Sequence, residues 1–194
     1  KMVAKGHDFP DVTLVGILAA DMDWLRPDFR AVEKAFRLLL QASGRAGRKM
    51  KGEVVIQTWQ PKNEVLGWVK NHNYLQMYKS ETNSRQQLAY PPFGRLIMLS
   101  FSGDNSDRVR EIAKTFGIAI RAQLTHRVIL GPAPPPIERL ENLYRQRFMI
   151  KIPNHSNEVI RREKKSIWES VCAYNKQYAK WKIRVSVDVD PVEL

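Results

Sequence analysis

Residues 41–48 read Gln-Ala-Ser-Gly-Arg-Ala-Gly-Arg, directly after a Leu-rich amphipathic segment, so two guanidinium groups, Arg45 and Arg48, stand just beyond a helix end. The glycines beside them, Gly44 and Gly47, let the backbone turn tightly and approach a ligand closely. Arginine adds a planar, permanently charged fork that matches phosphate oxygens. A phosphoryl-transfer site uses this equipment, because positioned cations stabilise the charge on the transferred group, and an inserted arginine is worth ~10³ to 10⁵ in rate. A basic turn that only reverses the chain is built from the same residue types.

Upstream, Phe29, Val32, Phe36, Leu39 and Leu40 recur at helical spacing, with Arg30, Glu33, Lys34 and Arg37 on the other face, which predicts a helix over 27–40 that aims the 41–48 loop. Pro27 suits its first turn. Residues 12–19 form an apolar, β-branched run of the kind expected for a parallel strand buried on both faces. The loop before it, Lys5-Gly6-His7-Asp8, offers a cation for phosphate, a glycine for close approach and a carboxylate for a ribose hydroxyl; Asp8 and Pro10 are also ordinary turn formers. Asp21 and Asp23 are read as solvated loop acids or partners of nearby arginines. A second parallel strand is expected over 53–58 and a helix over 63–78, with Val65, Leu66, Val69 and Leu75 inward.

The pattern Gln-x-x-Gly-Arg-x-Gly-Arg resembles motif VI of superfamily 2 helicases, and residues 2–9, Met-Val-Ala-Lys-Gly-His-Asp-Phe, resemble motif V. With Asp21-Met-Asp, Pro27-Asp-Phe-Arg, Tyr90-Pro-Pro-Phe and the run Asp-Val-Asp-Pro-Val-Glu-Leu at 188–194, essentially the whole chain is similar to the bacterial primosomal replication-restart helicase family. The resemblance implies the C-terminal part of a RecA-like second lobe over 1–80, a linker over 81–93 and a C-terminal domain over 94–194. Arg45 and Arg48 would then stabilise the γ-phosphate of ATP, Gln41 and Gly44 would shape that contact, and Lys5, Gly6, His7 and Asp8 would link nucleotide to DNA. ATP and Mg²⁺ belong to the complete protein, and Zn²⁺ to cysteines that precede motif V in the family. Lys1 replaces the usual Gln, and Glu33-Lys34 replaces Glu-Arg, which keeps the charge but loses the fork. The chain is expected to begin inside the lobe. It contains no Gly-x-x-x-x-Gly-Lys-Ser/Thr, so it is expected neither to bind ATP well nor to hydrolyse it alone.

After Phe93 the rhythm changes to strand 95–101, helix 106–124, strand 127–130, a stiff Pro-rich loop over 131–136, strand 144–152, helix 156–178 and strand 182–189. The order βαββαβ predicts a ferredoxin-like or ribosomal-protein-like α+β domain. On the strand at 144–152, Arg145, Arg147 and Lys151 share one parity while Gln146, Phe148 and Ile150 share the other. One face is therefore cationic and one is core; with Tyr144 nearby, the cationic face suits nucleic-acid backbone and a stacked base. Arg161, Arg162 and Lys165 make a basic helix edge that suits either solvent or an acidic peptide. By the resemblance, that peptide is the acidic tail of single-stranded DNA-binding protein, and the other partners are branched and single-stranded DNA and primosome proteins.

The balance of 32 Lys and Arg against 20 Asp and Glu, net +12, points to a polyanionic partner or to a generally basic surface. A single cysteine, Cys172, excludes an internal disulfide and a multi-thiolate zinc site, and its apolar neighbours mark it as a small filler. His7, His72, His126 and His155 lack metal-ligand spacing, so no metal site is expected. No apolar run is long enough to span a bilayer. A monomeric cytoplasmic protein is expected.

Overall fold

In the computed structural model, the structure describes residues 11–47, 51–124, 127–153 and 157–191. The chain forms two compact units that divide between Ser84 and Arg85.

In the first unit, β1 (Leu14–Ile17) and β2 (Glu53–Ile56) pair in parallel, Leu14 opposite Glu53 and Ile17 opposite Ile56. Parallel neighbours need a long crossover, here α1 (Asp21–Trp24) and α2 (Ala31–Ser43). Ala31, Ala35, Phe36 and Leu39 line the buried stripe of α2 and meet Val65, Trp68 and Val69 of α3 (Glu64–Lys70) and Met77 of α4 (Tyr74–Gln87). The helix begins four residues later than the pattern predicts, because Asp28 holds the preceding turn. Its carboxylate accepts from Arg30 N at 3.0 Å and Lys34 Nζ at 2.5 Å. Burial pushes this carboxyl up, but the Lys34 ammonium and the Arg30 N–H outweigh it and hold it below the usual carboxylate range.

Two expectations fail here. The strands are covered on one face only: Leu14, Leu18 and Val55 are exposed, since the described residues supply a single helical layer. The helix expected over 63–78 breaks at Asn71–Asn73, where His72 adopts φ 50° and the Asn73 carboxamide caps the next turn through Gln76 N at 3.0 Å. The break swings Leu75 outward to 68% exposure and puts Met77 in the core instead.

Asp21 is no solvated acid. It is buried, accepting from Thr58 Oγ1 at 2.5 Å and Trp59 N at 3.0 Å, and so clips the end of β2 to the end of β1. Asp23 does approach an arginine, Arg26, at 3.6 Å.

The second unit contains β3 (Gly94–Gly103), α5 (Ser106–Gln123), β4 (Val128–Ala133), β5 (Arg139–Leu140), β6 (Leu143–Pro153), α6 (Asn157–Tyr178), a 3₁₀ turn (Ala179–Trp181) and β7 (Arg184–Val189). The sheet order β4-β6-β3-β7, with every neighbouring pair antiparallel and β5 added to β6, interleaves two βαβ units as the α+β expectation requires. Asn105 caps α5 by accepting from Arg108 N at 2.9 Å. Both helices pack on one sheet face, against Ile97, Leu99, Phe101, Phe148, Ile150 and Val185. The expected linker, 81–93, contains the division between the units; within it α4 continues to Gln87, and 88–93 form turns closed by Tyr90 N to Arg85 O and Phe93 N to Tyr90 O, both 2.8 Å. Nor is 131–136 wholly loop, because β4 runs through a bulge to Ala133.

Tyr174 lies in the core with its hydroxyl buried and lacking a hydrogen-bond partner. Burial, with Tyr178 adding to it, pushes the phenol well above its usual value. Replacing Tyr174 by Phe removes a polar group that folding strips of water, so the unfolding free energy of this unit, read from urea titration, is expected to rise by about 1 kcal/mol. Asp21 makes a pH prediction. Burial pushes its carboxyl up, and the bonds from Thr58 and Trp59 bring it below the unfolded value. Its stabilisation is therefore complete above about pH 3.9 and lost as pH falls through the lower folded value. Acid titration followed by Trp fluorescence should show a smaller acid-induced loss in Asp21→Asn than in the wild type.

Candidate nucleic-acid interface

In the first unit, Gln41 is exposed on the last turn of α2, Gly44 follows the helix, and Arg45 is half-buried in the succeeding turn, its N–H donating to Ala42 O at 3.1 Å. Only one of the two glycines uses its special freedom: Gly47 has φ 79°, whereas Gly44 has φ −69°, open to any residue. Gly47 N donates to Val12 O at 3.0 Å, which ties the 41–47 turn to the segment that enters β1. The turn thus lies at the N-terminal end of the strand pair. A helix C-terminus presents carbonyls and a partial negative charge, so affinity for an anion there must come from guanidinium groups. Lys5, Gly6, His7, Asp8 and Arg48 lie outside the described residues.

The second unit carries the larger cationic surface. Strand β6 alternates as its sequence predicts: Gln146, Phe148, Ile150 and Ile152 are buried, while Arg145, Arg147, Met149 and Lys151 face the side that carries no helix. The three basic residues differ in what they already touch. Lys151 lies over the Tyr90 ring, 3.8 Å from its centroid, and donates to Leu88 O at 3.3 Å, so it pins residues 88–90 to the sheet. Arg145 donates through Nη2 to Ile137 O, and its Nε is buried without a partner. The Nε of Arg147 is likewise buried and unpartnered. Burial first, and then the Arg145 charge, pull the Arg147 guanidinium below its usual value. Tyr144 is a correction: it has the parity of Gln146, not that of the arginines, and its ring lies under Arg139, 5.2 Å away. It is not placed to stack a base on the cationic face.

A bulge opposite Arg147 sets the local geometry. Between Leu130 and Ala133 the register of β4 slips, and Gly131, at φ 103°, brings its Cα against the Arg147 carbonyl where any Cβ would collide. Gly131 O accepts from Arg121 Nη2. Bulges of this kind re-aim neighbouring side chains. Pairing across the sheet also adds residues that single-strand parity does not reveal. Ser100 lies opposite Arg147 and Ser186, and Ser102 lies opposite Arg145 and Arg184.

Comparison with known proteins decides the family. The model of the primosomal protein N C-terminal domain matches residues 86–192. The chain belongs to that family. Relatives called replication restart protein PriA extend the similarity to the first unit: that of Synechocystis sp. is 35% identical over 196 residues, covering 100% of this chain and 22% of the relative. That of Bacillus subtilis is 36% identical over 193 residues, covering 98% and 23%, and that of Chlamydia trachomatis is 36% identical over 194 residues, covering 99% and 25%. The chain therefore spans roughly a quarter of these relatives' length.

Within the primosomal protein N C-terminal domain, the basic helix edge is split. Arg162 lines a cavity of about 350 Å³ with Gln123, Leu124, Val159 and Ser166. Arg161 is exposed beside it, and Lys165 turns to Glu169 at 3.8 Å. The cavity is also lined by an ion pair absent from the sequence reading, in which Arg127 Nε donates to Glu163 Oε1 and Oε2 at 2.8 and 2.9 Å. Both side chains are about 15% exposed, and hydrogen bonding to Glu163 raises the Arg127 guanidinium above its usual value. Among the described residues no cluster of His, Cys, Asp and Glu could hold a metal ion, and no helix is long and apolar enough to cross a membrane.

Because the Arg127–Glu163 pair is mostly withdrawn from water, losing one partner should cost more than losing both. Glu163→Met is expected to destabilise the unit by about 1–3 kcal/mol, and the Arg127→Met, Glu163→Met double variant by less, as read from urea unfolding midpoints.

Proposed function

We propose that this chain is the C-terminal part of an ATP-driven 3′→5′ DNA helicase that recognises branched DNA and starts primosome assembly in replication restart. The observation that carries the reading is the similarity to replication restart proteins over both units, with about 35% identity across the whole chain. The parallel β1–β2 pair with its helical crossover supports a RecA-like second lobe. The attachment of the 41–47 turn to Val12 supports a shared role for motifs V and VI at one end of that pair.

In this proposal Arg45 and Arg48 reach the γ-phosphate of ATP, and Gln41 and Gly44 shape their approach. Lys5, Gly6, His7 and Asp8 link nucleotide to DNA. A guanidinium and a carboxamide at a turn suit phosphate oxygens. The nucleotide and its Mg²⁺, and the Zn²⁺ expected of the family, would be held by parts of the longer protein, so the chain by itself would hydrolyse no ATP. The uncovered side of the second unit's sheet would take DNA backbone. The cavity beside Arg162, with Arg161 and Lys165 at its edge, would take the acidic tail of single-stranded DNA-binding protein. A second reading, a docking module whose helicase motifs are vestigial, draws on the basic side chains Arg145, Arg147 and Lys151 along one face of β6 in the second unit.

The test is DNA-stimulated ATP hydrolysis by the complete gene product. Arg45→Ala and Arg48→Ala are each expected to lower turnover by ~10³ or more, the scale of an arginine that stabilises a transferring phosphoryl group. Unchanged turnover in both would leave the docking reading standing.

A further inference from the structure

Two rows of side chains cross the helix-free face of the sheet. One runs Ala133, Arg147, Ser100, Ser186 and the next runs Arg145, Ser102, Arg184, each residue beside its cross-strand partner. Neighbouring strands lie about 4.8 Å apart and same-face residues on one strand about 6.8 Å apart, so the backbone positions of the three arginines fall within roughly 12 Å of one another, with Ser100 and Ser102 on the strand between. Neither row contains a carboxylate. The nearest acid on this face, Asp188, sits one row away opposite Met98.

Such a surface is unfavourable in isolation. Arg145 and Arg147 are half-buried like charges, and each holds a buried Nε–H with no acceptor. An anion at the solvent-reaching part of these two side chains would offset the repulsion between their like charges. The rows also say which anion. They carry no aromatic and no aliphatic side chain larger than Ala133, so they offer a peptide none of the apolar anchors that dominate protein interfaces, and they offer a base nothing on which to stack. What they offer is a repeat of cations and hydroxyls on the scale of successive phosphates.

We propose that Arg145, Arg147 and Arg184, with the hydroxyls of Ser100, Ser102 and Ser186 between them, bind consecutive phosphodiesters of a nucleic-acid strand laid across the sheet. The site rests on the DNA-binding reading above and deepens it. Four of its six residues come from β3 and β7, and recognition is by backbone alone, independent of base sequence. The bulge at Gly131 and the contact of Arg145 with Ile137 O hold the two β6 arginines in place.

The experiment is a fluorescence-anisotropy titration of this chain with a labelled single-stranded oligonucleotide at two salt concentrations. Ser102→Asp and, on the exposed part of the edge strand, Ser186→Asp each place a carboxylate inside the rows; Asn175→Asp makes the same charge change on α6. Affinity should fall at least tenfold in the Ser102 and Ser186 variants and by less than twofold in Asn175→Asp. The salt dependence should flatten in the first two, and their melting temperatures should hold or rise because the new carboxylate pairs the arginines. Oligonucleotides of different base composition should bind the wild type alike. Folded Ser102→Asp or Ser186→Asp protein that binds like the wild type overturns this site and leaves DNA binding to be placed elsewhere. A wild type that fails to bind at low salt overturns the DNA-binding reading together with the site.

Discussion

Four rings fix the architecture of the second unit. Phe101, on the central strand β3, lies 5.1 Å from Phe116 of α5, 5.7 Å from Phe148 of β6 and 5.5 Å from Tyr174 of α6, centroid to centroid. The tilted and edge-on arrangements are the favourable ones for aromatic quadrupoles and add roughly 0.5–1.5 kcal/mol per pair to the burial of apolar area. Because the cluster joins both helices to the same face of the same strand, the opposite face has no helix to cover it. The cationic surface follows from this packing: beyond Leu96 and Met98, which are buried on that face, the sheet keeps the long side chains of Arg145 and Arg147 there, half-buried.

Charge is handled differently where it is structural. Asp28 meets Lys34 and Arg30, Arg95 meets Asp190 at 2.8 Å, and Arg127 meets Glu163, each pair joining segments that must stay together. Asp190 also accepts from Leu96 N at 2.9 Å, so the end of β7 is locked onto the start of β3. Beside these matched contacts, the rows of Arg145, Arg147 and Arg184 on the helix-free face hold no carboxylate. The net charge of +12 is thus best read by location, since lysines and arginines paired within the fold say little about partners.

Strand alternation made much of this legible. The period of two in β6 separates core from cations without any knowledge of its neighbours, and the helical spacing of Val109, Ile112, Ala113, Phe116 and Ile120 places α5 to within a residue of its end. Other features depend on long-range pairing or on backbone geometry that composition does not encode. The serines opposite Arg145 and Arg147 come from a strand some 45 positions earlier in the chain, so no local pattern could assign them. Tyr144 was read by proximity in sequence, but parity puts it on the other side. Leu75 has helical spacing within 63–78, yet the left-handed conformation at His72 resets the phase. Asp21 looked solvated because its partners, Thr58 and Trp59, arrive from the other parallel strand. In the 41–48 motif, the pattern located the turn, while only the structure shows that Gly47 alone requires glycine.

The position of β7 in the sheet has a consequence for synthesis. Strand β3 pairs with β6 on one edge and with Arg184–Val189 on the other, so a nascent chain that has not yet reached residue 184 presents a long, apolar strand with an open hydrogen-bonding edge. Pairings so distant in sequence form late and slowly, and unpaired edges recruit other chains. Growing polypeptides on one messenger would carry that edge side by side, which makes the interval before β7 emerges the time when this unit most needs a chaperone.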